Sequence, residues 1–180
     1  MSIVVGLGVT RVLSGLAAMI EHRTEIQFDG LTLWWAMNVL AYHVIYWWVV
    51  VNNWRFLEEW SLPRFGALFL YGVLLFFSAA LILPSRMTPG IDLKVRFESI
   101  RKPFFLLWIL VGFSEWTDSL SKGVEYVRAE LGPVYYGVMA VSGILSLVAI
   151  WTSDRRLHYA IAACFSVMYA AWTLRAFSTI

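Results

Sequence analysis

Within the 180-residue chain, a few ionisable side chains stand inside otherwise apolar runs: Arg11, His43, Glu115, Asp118 and, near the end of the last run, Arg175. A charge at the centre of a helix in hydrocarbon costs on the order of 2.5–3.5 kcal/mol, so such groups are kept for pairing, ion binding or proton relay. Glu115 and Asp118 are three apart and share a helix face, with Ser114 and Ser121 near it. At low dielectric two such carboxylates do not both ionise without a cation beside them. Arg11, effectively always protonated, is the expected cation, and His43 adds a group able to switch charge near neutral pH. Asn38, about one turn before His43, and Thr10 and Ser14, on either side of Arg11, are expected supporting contacts, together with Ser121 and Arg175.

A rise of ~1.5 Å per residue converts position into depth. Measured from one membrane boundary and with ~30 Å of hydrocarbon, Arg11 lies at roughly 14 Å, His43 at about 12 Å, Glu115 at about 14 Å and Asp118 at about 9 Å. Arg175 comes out at roughly 6 Å. Separate helices thus bring ionisable groups to nearly one level, with Arg11 expected to face Glu115 or Asp118 and His43 nearby. Such a layer serves either as an ion pair that fixes helix register or as a pathway for a proton or small inorganic ion.

The elements that must position these groups follow from composition. Hydrophobic residues make up 60% of the chain and charged residues 14%, with ten tryptophans; soluble domains average roughly 45–50% apolar and about 25% charged. The fold class expected is all-α, a polytopic membrane bundle of about six transmembrane helices in a single domain spanning 1–180. Spans fall near 2–20, 31–52, 66–84, 104–122, 134–152 and 159–177. Pro63, Pro84, Pro103 and Pro133 mark span edges and Pro89 a loop. The N-terminus, with Arg11 inside its apolar run, reads as a first span rather than a signal peptide.

The first, third and fifth connections hold Arg23, Arg86, Lys94, Arg96, Arg101, Lys102, Arg155 and Arg156, against Arg55, Arg64, Lys122, Arg128 and Arg175 on the other side. The positive-inside rule then puts both termini outside. In the third connection, Leu93, Phe97 and Ile100 at i, i+4 and i+7 predict an amphipathic segment over 91–102 lying in the headgroup layer; a solvated loop that favours anionic lipid is the plainer alternative. Trp34, Trp35, Trp47, Trp48, Trp54, Trp60, Trp108 and Trp151 lie near span ends and are expected in the aromatic belts. Thr10-Arg11-Val12-Leu13-Ser14 can be laid over Thr117-Asp118-Ser119-Leu120-Ser121, a weak repeat that fits two inverted three-helix halves.

Several chemistries are disfavoured. Cys164 is the only cysteine, so no intrachain disulfide or multi-cysteine metal site forms. No lysine stands in mid-span for a retinal Schiff base, and no histidine pair at matched depth is available for haem. Phosphate loops and nucleophile elbows are missing, a catalytic constellation is not apparent, and the scattered basic residues argue against nucleic acid. The expected function is a small channel or transporter for a proton or small inorganic ion, without cofactor or metal, its partners being the lipid bilayer and copies of itself or a membrane complex. The alternative is a non-transporting membrane subunit or effector whose buried charges pair with a partner's helix.

Overall fold

In the computed structural model the described residues are 2–53, 61–128 and 132–177, without the side chains of 52, 53, 126 and 175–177. Among them are six long helices and one short turn of helix: α1 Ser2–Glu21, α2 Gly30–Asn53, α3 Leu62–Ile82, α4 Leu93–Ser121, the turn α5 Val124–Tyr126, α6 Gly132–Trp151 and α7 Arg155–Phe177. The chain folds as an all-helical bundle in which α1, α2, α3, α6 and α7 are long and apolar enough to cross a membrane. At 29 residues α4 is about 44 Å long, ample for a ~30 Å hydrocarbon layer, but its charged first turns and its two carboxylates make it less apolar than the rest.

The sequence pattern places 91–102 apart from the fourth span, yet α4 runs unbroken from Leu93 and carries Pro103 inside it. Burial is the reason. Leu93 and Phe97 enter the same core cluster as Phe104, Phe105 and Trp108, so one apolar stripe continues through the proline, which sits on the exposed side. A second correction concerns the tryptophans. Trp35 is wholly buried, with edge-on contacts to Phe104, Phe105, Trp108 and Phe165, and Trp108 is buried beside it. These two rings fill the core, whereas Trp34, Trp47 and Trp151 do point outward. Trp54 and Trp60 lie outside the described residues.

The end of the bundle that gathers the first, third and fifth connections is cross-linked by polar contacts. Gln27 and Asp92 form a short parallel bridge, with Gln27 N–H on the Ile91 carbonyl at 2.9 Å and Leu93 N–H on the Gln27 carbonyl at 3.1 Å. The three helices that start here are each capped by an aspartate that accepts main-chain N–H groups: Asp29 from Thr32, Asp92 from Lys94 and Val95, and Asp154 from Arg156. Arg155 pairs with the buried Asp29, and Arg101 donates to the Thr152 carbonyl, which ties α7 to α2 and α4 to the fifth connection.

Candidate functional site

Depth alone put the ionisable residues in one layer; the structure separates them by helix face. On α2, Tyr42 and Tyr46 point toward α3 and α4, while His43, one residue and ~100° around the helix from Tyr42, points toward α1. His43 is fully buried; its Nδ1–H donates to the Val39 carbonyl at 2.7 Å, and its Nε2 faces Gly8 with no hydrogen-bond partner among the described residues. Glycine at position 8 is what admits the ring, since a Cβ there would lie 2.2 Å from Nε2.

Arg11 does not meet Glu115 or Asp118, contrary to the sequence expectation. Its guanidinium donates to the Leu83 carbonyl at the C-terminal end of α3, at 2.8 Å. Arg96 joins it there on the Ile82 carbonyl at 3.3 Å, so two cations cap the carbonyl end of α3, where the helix dipole favours positive charge. The long arginine stem lets the head travel along α1 to the polar end, so the depth of its Cα is a poor guide to that of its charge. Thr10 and Ser14 lie on the exposed side of α1. Asn38 is an interhelical fastener: its Nδ2 donates to the Ala162 carbonyl at 3.0 Å and its Oδ1 accepts from Ser166 at 2.7 Å. The Arg175 side chain lies outside the described residues.

The two carboxylates remain together but take partners that spacing in the apolar runs did not single out. Asp118 pairs with Lys122 at 2.6 Å, both side chains largely buried, as i and i+4 neighbours on α4. Ser121 turns back onto the Asp118 carbonyl at 2.7 Å. Glu115 has no cation within 4 Å among the described residues; its Oε2 accepts hydrogen bonds from Tyr42 at 2.9 Å and from Tyr71, and the two phenol oxygens are themselves 2.8 Å apart. Tyr135 adds a hydroxyl to Ser119 at 2.9 Å. The sequence singled out none of these tyrosines, because three different helices supply the triad of Tyr42, Tyr71 and Glu115.

Glu115, Asp118 and these tyrosines line one cavity of about 400 Å³. Its walls come from α2, α4, α6 and α7, with Tyr71 reaching in from α3; neither Arg11 nor His43 contributes. Aromatic and aliphatic side chains form most of the lining. The site therefore offers one carboxylate held by two phenols, one carboxylate neutralised by a lysine, and apolar walls wide enough for a small molecule.

Fold and site together define a multi-pass helical membrane protein with an acidic, tyrosine-clamped cavity between its helices. No protein-family model, curated protein or solved structure matches the chain.

Proposed function

We propose that the protein is a small membrane transporter in which Glu115 takes up a proton or a cation within the bilayer. The observation that carries this reading is the carboxylate itself, on the wall of a partly open cavity between helices, held by Tyr42 and Tyr71 and without a basic partner within 4 Å among the described residues. A carboxylate in that setting is neutralised by a proton or by a visiting cation, and alternation between the two is a transport step. Asp118 is cast as a structural group, because Lys122 already neutralises it. Arg11 and His43 are cast as parts of the helix packing rather than of the pathway.

Charges paired within the chain, Asp118 with Lys122 and Asp29 with Arg155, weigh against a subunit whose buried charges wait for a partner's helix. On the Lys and Arg counts the polar, aspartate-capped end faces the cytoplasm and both termini lie outside, which reporter fusions at either terminus test. For the main reading, purified protein in liposomes is expected to pass protons under an imposed potential. Glu115→Gln abolishes that flux, whereas Arg11→Gln and His43→Gln variants that still fold retain it. Absence of flux in the unaltered protein, or equal flux in Glu115→Gln, overturns the proposal.

A further inference from the structure

We infer that the cavity beside Glu115 binds a monovalent organic cation with an aromatic or otherwise apolar body, its positive charge set against that carboxylate. This deepens the transport reading and rests on it. A volume of about 400 Å³ falls in the range of small-molecule pockets, ~300–1,000 Å³, and far exceeds what a bare inorganic ion fills. An inorganic cation gives up its water only for a shell of oxygen ligands, which walls that are mostly hydrocarbon and ring do not supply. An organic cation brings little hydration to lose, and its apolar body matches the lining. Trp108, Trp116, Tyr136 and Trp172 present ring systems to the cavity, the surface that attracts a soft cation.

Charge complementarity favours a single positive charge. Of the two acidic residues on the wall, Asp118 is neutralised by Lys122, and Glu115 has no cation within 4 Å among the described residues. Tyr42 and Tyr71 hold Oε2, which leaves Oε1 as the oxygen to meet the ligand.

Equilibrium binding of benzyltrimethylammonium and of tetraphenylphosphonium to the full-length protein in detergent, read by tryptophan fluorescence, tests this. At least one probe is expected to bind saturably, and Glu115→Gln weakens it by about tenfold or more, as expected for loss of a charge-assisted contact. Gly143 lines the cavity with nothing within 4 Å of a Cβ built on it, so Gly143→Phe places a ring in the space. It is expected to lose probe binding while keeping the helical content and thermal unfolding of the unaltered protein, which guards against a Glu115 variant that fails to fold. Failure of both probes to bind, equal binding by neutral triphenylphosphine oxide, or binding indifferent to both substitutions overturns the inference. Proton flux that depends on Glu115 without probe binding overturns the inference and leaves the transport reading standing; absence of that flux overturns the reading itself.

Discussion

Replacement of Gly8 by alanine isolates the α1–α2 contact. A Cβ at position 8 would stand 2.2 Å from His43 Nε2 and 2.5 Å from Cδ2. Ordinary contact between such atoms is about 3.5–4.0 Å, so helix or ring must yield by roughly 1.3–1.8 Å. The ring cannot swing away freely, because its Nδ1–H is bonded to the Val39 carbonyl and the side chain is fully buried. Overpacking of this kind costs ~1–3 kcal/mol, against ~0.8–1.0 kcal/mol that alanine gains over glycine in a helix. Gly137→Ala is the matched control, since a Cβ there has nothing within 4 Å and only the helix gain applies. Unfolding in mixed micelles followed by tryptophan fluorescence is expected to place Gly8→Ala ~1–3 kcal/mol below Gly137→Ala. In a His43→Ala background the clash disappears, and Gly8→Ala should behave as the control does. Equal stability of the two glycine variants, or a penalty that survives removal of the ring, refutes the packing argument.

Trp35→Ala is expected to lose about 3–5 kcal/mol, the range for a fully buried aromatic, whereas the exposed Trp151→Ala stays within about 0.5 kcal/mol in the same unfolding assay. Asn38→Leu removes the bonds to Ala162 and Ser166 and should cost roughly 0.6–1.7 kcal/mol, with closer access of a spin label pair on α2 and α7 lost. Lys122→Met leaves Asp118 uncompensated and is expected to destabilise by about 1–3 kcal/mol, most of it recovered in the Lys122→Met, Asp118→Asn pair; a double variant no better than the single one counts against the ion pair.

Sequence by itself determined the solvent, the number of long helices and, apart from the start of α4 at Leu93 where 104 was expected, their ends to within about four residues, because a chain in hydrocarbon must satisfy its backbone inside helices of a length fixed by the bilayer. The expected span 31–52 became Gly30–Asn53 and 134–152 became Gly132–Trp151. Asp29, Asp92 and Asp154, each just ahead of a helix, and Lys122, four residues after Asp118, are local signals that a reading of the apolar runs alone passes over. What rise per residue cannot give is azimuth. His43 and Tyr42 share a level yet face different neighbours, and Arg11 is carried by its long stem to the end of α3. Only the packing of α2, α3 and α4 decided that Glu115 takes its hydrogen bonds from Tyr42 and Tyr71. Depth is a property of one helix; the direction a side chain faces is settled by which helices surround it, and that depends on contacts between residues far apart in the chain.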